Sequence, residues 1–346
     1  MKVYTTLAIL TTLVIVVPFA HAQEEGGPGF QDPEVEKSAQ TGFKFLSLSL
    51  DPRASSMAGA FTAQELAGSV AMFYNPATMA NMEGTFDIAV TRTQFIADIN
   101  YHAGSIAFNP RDGVYGVFGV SVMAVDYGEI EETIYDAGST YLDLGTFSPT
   151  ALSVGIGYAR ALSDRFAIGG NAKYALQDLG SFAVGQNEGG GFTSQEYSKG
   201  TAAFDFGVLY RTGFRSLNFA MSVRNFSPEL RYEQESFELP LTFRIGVAMD
   251  VMDLTSLDPN MHSFRVAVDA DRPRDFSEQI RIGGEYVFMN TLALRAGQAY
   301  PSDTEGFNVG VGLQQEVSGF GFALNYAYTS YDVFNAVHRM GITLSL

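Results

Sequence analysis

The sequence predicts an all-β fold: a transmembrane outer-membrane β-barrel of about 14 antiparallel strands with an N-terminal hatch or plug segment. Three observations carry that prediction. An export signal opens the chain, and no apolar run long enough for a membrane helix follows it. Strand-like alternation then fills most of the sequence in stretches too long for ordinary soluble strands. Lastly, the composition joins 46% hydrophobic and 13% aromatic residues to 36 glycines. A secreted β-sandwich array shares the composition, but not the strand length.

The signal occupies residues 1–22. Lys2 supplies a positive start, Leu7 to Phe19 an apolar core, and Ala20-His21-Ala22 a small-x-small cleavage site before Gln23. The chain contains no cysteine, which excludes a lipoprotein, a disulfide framework and a thiolate metal site. A net charge of −17 argues against nucleic acid as a partner. Residues 23–40, with Gly26, Gly27, Pro28 and Pro33 among several acids, suggest a flexible periplasmic tail. Residues 41–83 lack strand periodicity and are rich in small side chains, among them Ala54, Ser55, Ser56, Ala58, Gly59 and Ala60. They are expected to pack as a hatch inside the barrel that residues 84–346 build.

Period two is plain in the barrel region. Leu152, Val154, Ile156 and Tyr158 alternate with Ser153, Gly155, Gly157 and Ala159. Phe243, Ile245, Val247 and Met249 alternate with Arg244, Gly246, Ala248 and Asp250, and Phe320 to Tyr328 repeats the pattern. Such alternation puts the two sets on opposite faces of a sheet. An apolar face of roughly ten residues suits a tilted bilayer-spanning strand, and in lipid the sheet must close so that every backbone group is paired. Segments at 86–96, 99–109, 113–127, 148–161, 164–178, 201–213, 215–226, 240–252, 262–272, 277–289, 291–300, 305–317, 319–332 and 336–346 give the strand count.

Connection lengths orient the barrel. From a periplasmic start, the connections Gly128–Phe147, Leu179–Gly200 and Ser227–Leu239 fall outside and are long. Those at Leu162-Ser163-Asp164, Phe214, Asn290 and Ser318 fall inside and are tight, the asymmetry expected of such barrels. Met252–Met261 is a longer turn on the inner side. The last strand, Ile342, Leu344 and Leu346 alternating with Thr343 and Ser345, ends in Leu where the usual assembly signal has Phe.

Catalytic chemistry is sparse. His102, His262 and His338 lie in separate segments without metal-ligand spacing. There is no Gly-x-Ser-x-Gly elbow, and a Ser105–His102 pair has nothing to orient it. Gly155-x-Gly157 lacks the third glycine of a dinucleotide site. The run Glu129-Ile130-Glu131-Glu132 fits a solvated loop face. Neither an enzyme nor a cofactor nor a metal is expected.

Charges opposite the apolar sets are more informative. Lys173, Asp205, Arg211, Arg224, Arg244, Asp250, Arg265, Asp269, Arg281 and Arg295 should point into the lumen. They either line a polar channel or pair with each other and with the hatch, since buried charges need partners. Asp205 with Arg211, and Arg265 with Asp269, are candidate pairs on single strands. Lys44, Arg53 and Glu65 of the hatch are also available, and Asn75-Pro76 suits a terminating bend.

Several segments resemble the PorV/PorQ family of outer-membrane proteins, which is itself similar to the FadL fatty-acid channel. They are Phe43-Lys44-Phe45-Leu46, Arg53 to Phe61 (RASSMAGAF) and Tyr74-Asn75-Pro76-Ala77 in the hatch, with Asp126 to Ile130, Gly169 to Tyr174, Pro240 to Gly246 and Leu294 to Gly297 in the barrel. The resemblance spans nearly the whole chain after the signal. It departs at Tyr74, where Trp is more usual, and at Thr78-Met79, where Gly-Leu is common. It implies a FadL-like 14-stranded barrel whose hatch motif includes Arg53, Gly59, Tyr74, Asn75 and Pro76. It further implies a non-enzymatic accessory or shuttle scaffold in type IX secretion and surface attachment. Partners would be outer-membrane lipid, the translocon barrel and the C-terminal signal domains of cargo. The FadL side of the resemblance implies instead a channel for a hydrophobic small molecule.

Overall fold

The wall is a single closed sheet, described here from a computed structural model that covers residues 41–65, 68–136, 140–186, 192–232, 234–302 and 305–346. The expected signal peptide and tail, residues 1–40, lie outside the described residues. Strands run β1 Phe86–Gln94, β2 Asn100–Phe108, β3 Val117–Asp126, β4 Thr150–Ser163, β5 Phe166–Gln186, β6 Phe192–Arg211 and β7 Asn218–Phe226. They continue as β8 Thr242–Asp250, β9 His262–Pro273, β10 Gln279–Phe288, β11 Leu292–Tyr300, β12 Glu305–Val317, β13 Phe320–Tyr331 and β14 Val337–Ser345. Each pairs antiparallel with the next, and β1 closes the ring on β14 from Asp87↔Ser345 to Gln94↔His338. Among the described residues no helix is long and apolar enough to cross a membrane.

The alternation sorts outward from inward residues as expected. Ile156, Ile282, Val311 and Phe322 are exposed on the outer face, while their neighbours Gly155, Gly283, Gly310 and Gly321 turn inward. The apolar outer face is what lipid requires of a wall with no free edge.

Two segments expected as loops form strands instead. Leu179–Gly200 is mostly strand, because β5 and β6 stay paired as far as Gln186↔Phe192. Within 128–147, Ile130–Asp136 pairs with Thr140–Phe147 as a separate hairpin. It leans on the β5–β6 extension: the Phe147 and Phe182 rings meet at 4.6 Å, and the Ala183 N–H donates to Glu132 at 2.9 Å. Above the membrane both faces of a strand are wet, so the period-two signal that marks the wall is lost there.

Residues 41–82 run through the lumen from one mouth to the other. At the mouth carrying the long hairpins, the Gly42 N–H donates to the Glu238 carbonyl at 3.0 Å, and Thr41 and Lys44 both reach Asp275. At the opposite mouth, Asn109 donates to the carbonyls of Met82 and Gly84 at 3.1 and 3.2 Å. Between these points the described residues form short turns, at Lys44–Ser47, Gly68–Phe73 and Pro76–Asn81, and a helix, α1 Pro52–Ser56, capped by Asp51. Proline at the first helical position and the Asp51 carboxylate on the Ala54 N–H at 2.9 Å explain why α1 starts there. Small residues let the segment press against the wall.

Candidate functional site in the barrel lumen

An irregular segment leaves backbone groups without ladder partners, and buried ones must be satisfied from elsewhere. Here the charges of the wall satisfy them. Arg224 donates to the Leu46 carbonyl at 3.2 Å, Arg244 to Gly59 at 3.2 Å, Arg281 to Ala58 at 2.9 Å and Arg339 to Ser49 at 2.9 Å. Carboxylates take the opposite role. Asp269 accepts the N–H groups of Phe61 and Thr62 at 3.0 Å each and the Thr62 hydroxyl at 2.6 Å, while Asp87 accepts the Ser69 N–H at 2.7 Å.

The remaining charges pair with one another. Glu285, buried on β10, collects three guanidinium groups. Arg53 of α1 approaches it with two nitrogens at 2.7 Å, Arg295 at 2.6 Å and Arg265 at 3.5 Å. Bidentate pairing of this kind is the strongest ion-pair geometry available to a carboxylate. Asp271 bridges Arg244 at 2.9 Å and Arg281 at 3.0 Å. Asp205 holds Lys173 at 2.8 Å, Asn171 at 2.9 Å and the Asn225 N–H at 2.7 Å. Glu65 pairs with Arg211, whose side chain remains 42% exposed near the inner mouth.

These contacts correct the same-strand pairing expected of Asp205 with Arg211 and of Arg265 with Asp269. Residues four or six apart on a strand stand about 13 to 20 Å from one another, so partners come from neighbouring strands and from the inner segment. Ser105 and His102 also separate. Their odd spacing sends Ser105 inward, onto the Ser69 hydroxyl at 2.9 Å, and His102 outward. Asn75-Pro76 begins a turn rather than ending one: the Asn75 side chain caps the Ala77 N–H at 3.1 Å and donates to the carbonyls of Thr62 and Val208 at 2.8 and 3.1 Å. Tyr74 packs its ring on Phe61 at 5.2 Å, and its hydroxyl meets Ser49 at 2.8 Å and the Asp51 N–H at 3.2 Å.

Glu285, Asp271, Asp87, Arg339 and Asn225 were not among the expected lumen residues. The first four share parity with inward neighbours such as Gly283, Asp269, Ala89 and Gly341, so the same alternation could have found them. Asn225 could not be found that way. A β-bulge opposite Asp205 lets Arg224 and Asn225 both face inward, with Asn225 in the left-handed region at φ 61°.

Cross-strand glycine pairs dent the wall where the segment comes closest; Gly119 beside Gly157 admits the Met72 side chain, and two further pairs admit backbone. Gly169 on β5 stands beside Gly207 on β6, and a side chain on Gly169 would come within 2.5 Å of Pro76. Gly283 on β10 stands beside Gly297 on β11, where added atoms would come within 2.5 Å of Met57 and 2.6 Å of the Ala58 nitrogen. The segment's backbone fills both dents.

In the outer half of the lumen, Phe43, Phe45, Leu46 and Leu50 are at most 2% exposed and pack on the wall residues Tyr101, Met123 and Val125. Polar groups line the open space. A vestibule of about 760 Å³ at the inner mouth is bordered by Arg53, Asp87, Arg295, Gln314 and Asn325. A recess of about 80 Å³ lies among Arg244, Arg281, Glu305 and Arg339. Among the described residues no group of three or more His, Asp or Glu is placed to hold a metal ion.

The fold is shared with solved hydrocarbon transporters. The Pseudomonas putida toluene transporter TodX aligns over 82% of this chain and 94% of its own, with a TM-score of 0.53 at 12% identity. The monoaromatic hydrocarbon channel CymD aligns over 86% and 96%, with a TM-score of 0.53 at 10% identity. No curated protein sequence matches the chain. The family model described as type IX secretion system protein PorV matches residues 31–266, about two thirds of the sequence. The chain therefore belongs to the PorV family, as an outer-membrane barrel associated with type IX secretion.

Proposed function

We propose that this barrel is a sealed scaffold. Its outer hairpins receive the C-terminal signal domains of secreted cargo and the translocon barrel, and residues 41–83 act as a fixed hatch, with neither catalysis nor solute conduction of its own. One observation carries this reading. The apolar chamber where a hydrophobic solute would dwell is filled by the chain's own Phe43, Phe45, Leu46 and Leu50. A conducting pocket for such solutes is mostly apolar, whereas the vestibule and the recess described above are bordered mainly by polar and charged groups, with Phe61, Val70 and Leu48 among them.

A disulfide lock tests the reading. The chain has no native cysteine, and the hydroxyls of Ser69 in the hatch and Ser105 in the wall are 2.9 Å apart. A Ser69→Cys/Ser105→Cys protein, oxidised in the outer membrane, should support cargo secretion at the wild-type level. It should also still co-purify with the translocon and cargo signal domains. Uptake of a labelled fatty acid that the lock abolishes, with no secretion partner recovered from either form, would instead identify a channel.

A further inference from the structure

On the lipid-facing surface two neighbouring strands turn polar at the same height. On β1 the outward residues run Phe86, Ile88, Val90 and then Arg92; on β2 they run Phe108, Ile106, Gly104 and then His102. Arg92 and His102 are register partners, both exposed, and Arg92 donates to Asn100 at 3.2 Å. Phe86 and Phe108 stack at 4.8 Å and mark the aromatic girdle at the inner mouth. Six residues at the rise of a tilted strand put Arg92 only about 15 Å above that girdle, within an apolar band about 25 Å tall. A charge at that depth needs a partner.

Across the β1–β14 seam, His338 stands opposite Gln94 and holds the Tyr326 hydroxyl at 2.7 Å. Above this row a recess of about 430 Å³ opens between the β1–β2 and β13–β14 turns, bordered by Gln94, Phe95, Asp98, Asn335 and His338. Ala97 and Asp98 hold left-handed backbone there at φ 55° and 58°. Outward from the membrane centre the surface is thus apolar, then cationic, then a mixed recess carrying the amides of Gln94 and Asn335, which follows the acyl, phosphate, sugar order of a phosphoglycolipid.

We propose that β1, β2 and β14 hold an outer-leaflet phosphoglycolipid, its phosphate accepting from the Arg92 guanidinium and the His102 imidazole. Its acyl chains lie over Val90, Ile106 and Ile342, and its sugars fill the recess. Asp98 and the outward Asp126 are the nearby carboxylates. Both stand farther out than Arg92, so they repel a phosphate at the rim and leave its place beneath them.

Full-length protein in detergent, titrated with diphosphoryl lipid A and followed by native mass spectrometry, tests this. An Arg92→Gln/His102→Gln double variant should retain the lipid about tenfold less well. Arg92→Lys should recover part of the loss. Arg160→Gln, which removes an outward arginine near the inner mouth, should match wild type. Heat-modifiable mobility confirms that each variant is folded. Equal retention by the double variant, equal retention of a dephosphorylated lipid, or displacement by millimolar inorganic phosphate would each overturn the proposal. So would a double variant that keeps the lipid but loses a membrane-protein partner.

Discussion

At the scale of single residues, Glu285 is the most consequential group in the lumen. Replacing it with Gln leaves the buried Arg295 and the half-buried Arg53 and Arg265 around a neutral amide. Breaking a buried ion cluster in this way costs about 3–5 kcal/mol, so Glu285→Gln should lower the urea midpoint of unfolding sharply. Arg211→Gln removes a pair that water already screens and should cost under about 1 kcal/mol. Tyr74→Phe removes the hydroxyl that meets Ser49 and the Asp51 N–H. Leaving that buried N–H without its partner should cost about 1–3 kcal/mol, read as a lower urea midpoint. That Arg244 or Asp269 faces inward was legible in the sequence from parity alone. That Arg244 addresses a carbonyl and Asp269 two N–H groups was not, because neither partner carries a side-chain signature.

Among elements, the wall strands were legible because lipid outside and packed polar groups inside impose strict alternation. All fourteen fall where the pattern put them, with ends displaced by a few residues except at the outer ends of β5 and β6. The hairpin at 130–147 and the extension of β5 and β6 were illegible for the converse reason, since water on both faces imposes no pattern. Glycine on the inner face looked like filler between charges, but its pairing across strands is what admits the inner segment. Gly169→Val should therefore cost about 1–3 kcal/mol by pressing on Pro76-Ala77. Gly170→Val, one residue along and facing outward, meets only ordinary contacts at 3.6 and 3.9 Å and should be near neutral. Comparing the two urea midpoints separates the dent from any general intolerance of β-branching.

For the whole molecule, closure depends on charges at every level of the lumen rather than on one gate. Wild-type protein in a planar bilayer should therefore show no sustained conductance. An Asp269→Asn/Arg244→Gln variant, which loosens the segment at Gly59 to Thr62, should show brief openings while keeping heat-modifiable mobility. The route of residues 41–82 also ties its seating to the closing of the wall. The chain enters at the mouth with the long hairpins, crosses to the other mouth, and only there turns at Gly84 into β1. The carbonyl of Leu346 accepts from the Thr85 and Phe86 N–H groups at that same corner. The point where the inner segment becomes wall is thus also the point where the wall meets its own last strand. Seating the segment and closing the ring share one corner, so a substitution that disturbs either reaches the other.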